Sequence, residues 1–326
     1  MQIEQELAQF APGKDMVLTV GVFDGVHLGH KYLIWQLNQL ARQRNLLSGV
    51  VTFHQHPQVV LAPQTRLPFL TDLSQRIARL KGEGVDAVIS LSFTPDLAQL
   101  NARHFVSLLK EYLRMQGLVV GYDFALGRSR EGSIEALQVL GQDMNFSVTV
   151  IPPIEINGEV VSSTAIRNAL ARGDMKRVHT LLGYFFTLQG RVVAGAGRGV
   201  GLGFPTANLA VNSEQALPAD GVYATWAYID DRAYPSVTNI GWCPTFGGSK
   251  CTVEVYVLDY RGDLYGQEMK IDIIERLRGE QKFTTAEELK RQIAEDVKQG
   301  RAIFECQGRN DYGYYSERLL TQTRRS

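Results

Sequence analysis

The sequence predicts two domains of different class, an α/β domain built on a parallel sheet and then an antiparallel β domain closed by a helix. Three observations predict this. From Val17 to about Ile151, short apolar strand-like runs alternate with segments of helical period. After Leu182, strand-like runs follow one another with turns between them, and no helical period returns until Thr284. The 326 residues also exceed the ~100–200 typical of one domain.

In order, the first half offers strands at 17–20, 49–53, 85–91, 118–120 and 146–151, with helices near 29–44, 72–82, 101–116 and 133–144. Start signals support the helices: Thr71-Asp72 before Leu73, Thr94-Pro95-Asp96, and Ser133 after Gly132. Mostly apolar strands alternating with helices imply a parallel sheet covered on both faces, with ligands outside the strands' carboxyl ends. The second half offers strands at 185–193, 222–229, 234–240, 252–258 and 269–277, as a barrel or a sandwich. A helix then starts at a Thr285/Glu288 capping box and carries Leu289, Ile293 and Val297 on one stripe. These readings put the domains at 1–182 and 183–305, with 306–326 as a tail without a functional reading.

Composition excludes several classes. Hydrophobic content is 44% and charged content 21%, ordinary values for a globular protein. Thirty-four basic residues balance thirty-four acidic ones, and no basic run marks a nucleic-acid footprint. No apolar run has the ~18–20 residues of a membrane span, and MQIEQELAQF lacks a signal-peptide profile. Cys243, Cys251 and Cys306 are odd in number and lack zinc spacing, so the expectation is free thiols in the cytoplasm. Oligomeric state is not legible.

The organising stretch is Val17–His30, VLTVGVFDGVHLGH. A strand runs into Gly21, a turn follows through Phe23, Asp24 and Gly25, and a helix opens near His27. Free N–H groups and the helix dipole make such a junction an anion site, and His27 and His30 add side-chain donors. His54 and His56 fall at the next strand's end, and a zinc or iron site is the competing reading of these histidines. Ser162, Ser163 and Thr164 open another helix, as caps or as anion ligands, with Arg167 one turn in. Gly121–Gly132 reads as a loop carrying Asp123 and Phe124 over a ligand, or as an ordinary surface loop. In the second half, Thr206 and Asn208 of Gly203-Phe-Pro-Thr-Ala-Asn208 offer two neutral oxygens able to share Mg²⁺ with ATP phosphates, or simply form a turn. In 252–257, Val253, Val255 and Val257 share one strand face and leave Glu254 on the other.

Together these strings resemble one family, the bacterial bifunctional riboflavin kinase/FMN adenylyltransferases or FAD synthetases. GVFDGVHLGH, TFHQHP, GYDFALGR, VSSTAIR, LLG, GFPTAN, NIGWCPTF, VEV and LYG stand in the family's order from about Thr19 to Asp296. The resemblance implies a Rossmann-like nucleotidyltransferase domain followed by an antiparallel β-barrel kinase domain with a C-terminal helix. It implies that Mg-ATP phosphorylates riboflavin to FMN in the barrel, and that FMN attacks a second ATP in the first domain, giving FAD and pyrophosphate. By the same resemblance, His27 and His30 steady the triphosphate beside Gly21, Phe23 and Asp24, and Ser163, Thr164 and Arg167 hold its outer phosphates. His56, Asp123 and Phe124 line the flavin/adenylyl pocket, Thr206 and Asn208 hold Mg-ATP, and Glu254 is the kinase base. Leu126 stands where the family often has an aromatic, and Gln55 where it often has proline. The alternatives are a kinase with a non-catalytic N-terminal module and a flavin-binding regulator.

Overall fold

The computed structural model describes residues 1–62, 64, 67–195, 197–230, 232–245 and 248–306; at 198, 200, 242–245, 248–250 and 306 it describes the backbone. The chain forms two compact units, Met1–Ser163 and Thr164–Ser326. The tail expected at 306–326 lies outside the described residues but for Cys306 at its head.

The first unit runs α1 (Gln2–Ala8), β1 (Met16–Val20), α2 (Leu28–Gln43), β2 (Leu47–Phe53), α3 (Pro57–Leu61), α4 (Leu73–Gly82), β3 (Ala87–Leu91), α5 (Pro95–Ala98), α6 (Ala102–Leu113), β4 (Met115–Gly121), α7 (Ile134–Met144) and β5 (Ser147–Ile151). A two-strand hairpin follows, β6 (Glu155–Ile156) and β7 (Glu159–Val160). Its five-stranded sheet is all parallel in the order β3-β2-β1-β4-β5. Strand alternation splits the core in two, as a sheet covered on both faces requires. Leu18, Val20, Val51, Ile89, Leu118 and Val120 pack with Leu7, Leu109 and Leu137 on one face. Val17, Val50 and Val119 pack with Ile34, Leu37 and Leu80 on the other. Strand order reverses at β1, so the β1 and β4 carboxyl ends flank the crevice where such sheets bind ligands.

The expected helix starts are present as caps. Asp72 accepts from the Gln75 N–H at 2.7 Å, Thr94 from Leu97 at 3.2 Å and Ser133 from Ala136 at 3.4 Å. Thr94 starts the short α5, while Asn101 caps α6 separately through the His104 N–H at 2.8 Å.

The second unit takes in all but the first residue of α8 (Ser163–Arg172), and then α9 (Met175–Leu182), β8 (Phe186–Val193), α10 (Arg198–Leu202), β9 (Ala207–Val211), β10 (Gly221–Ile229), β11 (Arg232–Thr245), β12 (Gly248–Val257), β13 (Glu268–Arg278) and α11 (Ala286–Cys306). Six strands close an antiparallel barrel in the order β10-β11-β12-β9-β8-β13. Barrel, not sandwich, is therefore the outcome, and closure leaves no open sheet edge. Phe186, Leu188, Val253, Val255, Ile271 and Ile273 are buried along these strands. Thr225 satisfies its buried hydroxyl with Ser236 and Thr238, each at 2.7 Å. The Thr285 cap accepts from the Glu288 N–H at 3.2 Å, and the Glu288 carboxylate accepts from the Thr284 N–H at 3.1 Å. Val297 of α11 packs with Val222, Val237, Tyr256, Leu258 and Leu277 on the barrel's outer face. The expected strand list lacked β9, whose Pro205-Thr206 lead-in reads as a turn.

Candidate functional site

At the end of β1 the turn is built from left-handed backbone: Phe23 has φ 53°, Gly25 φ 79° and Val26 φ 35°. Such angles are costly for residues with a Cβ and persist only when surroundings hold them. Asp24 supplies the hold. Its carboxylate is 2% exposed and accepts from the Leu70 N–H at 2.9 Å and the Thr71 N–H at 3.2 Å. The Gly25 N–H donates to the Thr71 hydroxyl at 3.1 Å, and the Ser163 hydroxyl donates to the Asp24 carbonyl at 2.9 Å. Asp24 and Ser163, both expected at the phosphates, thus shape the turn with these groups. Phe23 is buried and meets the His30 ring edge-on at 5.1 Å.

The two imidazoles sit together at the start of α2. Their rings stack at 3.6 Å and 18°. His27 is the N-cap, its Nδ1 accepting from the His30 N–H at 3.3 Å, so in the neutral ring the proton lies on Nε2. His30 Nδ1 is buried without a hydrogen-bond partner among the described residues. Burial first, and then the nearby Arg76 charge, pushes the His30 pKa down from 6.5 to about 3. His30 is therefore an uncharged donor or acceptor at neutral pH. Gly29 lets this corner close: a Cβ there would stand 3.2 Å from the His27 ring and 3.3 Å from the Val161 carbonyl.

Behind the pair lies Arg76, a residue that reading the sequence did not single out. It is wholly buried on α4, donating to the Val22 carbonyl at 2.8 Å and stacking on Phe69 at 5.0 Å. Its one sequence signal is an arginine in the apolar stripe that also holds Leu73 and Leu80. His54 bonds Ser90 and Ser92 at 3.3 and 3.2 Å, and His56 caps α3 through the Gln58 N–H at 3.1 Å. Stacked, capping and hydroxyl-bonded imidazoles do not converge as a metal set, and no such group occurs among the described residues. The loop after β4 is pinned, with Leu126 and Gly132 exchanging backbone bonds at 3.1 and 2.9 Å. It holds Asp123 exposed and Phe124 half-buried. Leu126 packs into the core, and Gln55 donates to the Phe93 carbonyl at 2.9 Å. On the first turn of α8, Thr164 is exposed and Arg167 half-buried.

In the barrel, register brings distant residues together. Asn208 of β9 stands directly opposite Glu254 of β12. Leu209, Val253 and Val255 point inward and are buried, so Asn208 and Glu254 share the outer face. Thr206 lies immediately before β9. A Cβ at Gly195 would collide with the Asn208 amide, and one at Gly199 with the Phe204 carbonyl, 3.4 Å from the Thr206 hydroxyl. Gly195 and Gly199 thus bring backbone close to these two side chains. Phe204 meets Tyr256 edge-on at 5.4 Å, beside the same face.

The family model for FAD synthetase matches residues 10–165, and that for riboflavin kinase matches 182–304. The bifunctional riboflavin kinase/FMN adenylyltransferase of Escherichia coli K12 is 39% identical over 296 residues, covering 90% of this chain and 94% of that protein. Those of Listeria monocytogenes and Bacillus subtilis are 35% and 32% identical, each covering 88% of this chain and 92% of theirs. A crystal structure of a macrolide-efflux protein from Streptococcus pneumoniae has a TM-score of 0.83 at 31% identity, covering 89% of this chain and 95% of that one; from that likeness we take the fold. No helix among the described residues is long and apolar enough to cross a membrane. The two matched domain families, borne by one chain, define an ATP-dependent transferase acting on flavins. The chain belongs to the bifunctional riboflavin kinase/FMN adenylyltransferase family.

Proposed function

We propose that this chain makes FAD from riboflavin in two ATP-dependent steps, phosphorylation in the barrel and adenylylation in the parallel-sheet domain. The observation that carries it is that both domain families match one chain, in the same order as relatives covered over nine-tenths of their length. We assign adenylylation to residues 1–182 and phosphorylation to 183–305.

In the kinase step, Glu254 takes the proton of the terminal ribityl hydroxyl as that oxygen attacks the γ-phosphorus of ATP, and ADP leaves. Thr206 and Asn208 present neutral, hard oxygens beside a close glycine backbone, a donor set that fits Mg²⁺ shared with ATP phosphates. When bound, Mg²⁺ neutralises phosphate charge and the protein positions the hydroxyl. In the adenylyl step, an FMN phosphate oxygen attacks the α-phosphorus of ATP and pyrophosphate leaves. The α2 N-terminus, His27 and neutral His30 donate to the triphosphate where charge grows, Thr164 and Arg167 hold its outer phosphates, and Gly21 and Phe23 border it. Asp24 and Ser163 act by holding the turn. His56, Asp123 and Phe124 border the flavin. Substrates at both steps are small molecules, and we place the work in the cytoplasm without nucleic-acid or membrane partners.

The test is product analysis after incubation with riboflavin, Mg²⁺ and ATP. FMN should appear first and FAD after it; FMN without FAD would leave a kinase only, and flavin binding without ATP use would leave a regulator. Glu254→Ala should abolish FMN formation while FAD still forms from supplied FMN. His27→Ala or His30→Ala should do the reverse, lowering adenylylation by about 10²–10³. Equal loss of both activities in any of these variants would contradict separate sites.

A further inference from the structure

The β11–β12 register places Asn239 directly opposite Glu254, on the flank away from Asn208. Its neighbours Thr238 and Ile240 are buried inward opposite Val255 and Val253, so Asn239 projects outward and is exposed. Three side chains from three adjacent strands therefore form one row, Asn208–Glu254–Asn239, with Glu254 in the middle. Directly opposed side chains on one sheet face have Cβ atoms ~4.5–5.5 Å apart, within reach of an amide and a carboxylate. Gly241, two residues on, is buried and adds no side chain to this row. A Cβ at Gly241 would stand 4.0 Å from the Asn239 amide nitrogen and 3.7 Å from Glu280 Oε1.

We propose that Asn239 is a positioning residue of the kinase site, whose side-chain amide donates to the Glu254 carboxylate and aims it at the ribityl hydroxyl. This rests on the reading of Glu254 as the base. The division of labour follows from the row. Asn208, walled by Gly195, serves the phosphate side; Asn239, on the other flank, serves the carboxylate. An asparagine suits this because its N–H₂ orients an ionised carboxylate without adding charge to the site. Among the described residues, few titratable or charged groups surround Glu254. Tyr256 shares its strand face, and Glu280 approaches across Gly241. At the β13 end, Arg278 is taken up by Asp296 of α11. From β9 the facing group is the uncharged Asn208.

The experiment uses the full-length enzyme and measures both activities of each variant. Asn239→Ala should lower kinase kcat about tenfold, the worth of one charge-assisted hydrogen bond, with KM for riboflavin and ATP within about twofold. Asn239→Asp sets a second carboxylate opposite Glu254 and should move the acid limb of the kinase pH–rate profile upward by about one unit. FAD formation from supplied FMN should be unchanged in both, and unchanged thermal unfolding of the barrel shows that the variants fold. Wild-type kcat in Asn239→Ala, or an unmoved acid limb in Asn239→Asp, would overturn the proposal. A rise in KM for riboflavin with unchanged kcat would also overturn it, by making Asn239 a substrate contact. Glu254→Gln is run alongside. If it keeps kinase activity, the base reading fails; if it loses activity while Asn239→Asp leaves the limb in place, the positioning role alone fails.

Discussion

His30 carries its chemistry through its surroundings. Its buried Nδ1, with Arg76 close behind, keeps the ring uncharged far below the usual range. The consequence for stability has a definite sign. Below about pH 6.5 the unfolded chain binds a proton here that the folded chain refuses until about pH 3. The contribution of a neutral His30 is complete above that window and is lost as pH falls through it. NMR titration of the folded enzyme should show no His30 ring transition between pH 5 and 8, and a midpoint near 6.5 would contradict the buried, neutral ring. Asp24 makes a related point. An acidic residue beside two histidines in a glycine turn reads as a ligand, yet its carboxylate accepts from the backbone at Leu70 and Thr71. Those partners lie 46 and 47 residues away, beyond any local pattern.

At the scale of elements, α11 is held to the barrel by an ion pair as well as by apolar packing. Arg278, at the end of β13, donates from Nε and Nη2 to Asp296 at 2.8 Å each, and Gln292 adds a bond at 3.0 Å. The Asp296 side chain is 3% exposed and Arg278 16%. Removing one partner of a buried pair leaves the other charge stranded. Asp296→Ala should therefore destabilise the barrel by about 3–5 kcal/mol, measured by urea unfolding, and kinase activity should fail on heating before adenylylation does. Loss of less than about 1 kcal/mol would rank the pair with exposed ones. Element types were largely legible, since strong periodicity and capping residues such as Asp72, Ser133 and Thr285 act within a few residues. Short elements were not: α1, α3, α9, α10, β6 and β9 were not foreseen. The four residues of α5 were read only as a start signal, because so short a run offers too little period to read.

For the molecule as a whole, two units with their own cores carry two reactions. Mixing Glu254→Ala with His30→Ala should restore FAD formation from riboflavin at a rate that rises with enzyme concentration, because FMN made by one variant diffuses to the other. A product trace that stops at FMN would contradict the prediction that Glu254→Ala adenylylates FMN taken from solution. The boundary expected at 182 and the compact units' division at 163/164 differ because α9 packs on β8 and β13. Helical period shows that a segment is a helix and says nothing of which core receives it.

From its residues alone, this chain specified a parallel α/β domain, an antiparallel β domain and a junction at Val17–His30 able to hold an anion. All three follow from short-range rules of periodicity, turn chemistry and helix ends. Tertiary structure alone decided that the second sheet closes, that Arg76 is buried behind the histidines and that Asn208, Glu254 and Asn239 stand in one row. Those relations join residues 15 to 54 positions apart in sequence. They depend on strand register and long-range packing, which no local pattern encodes.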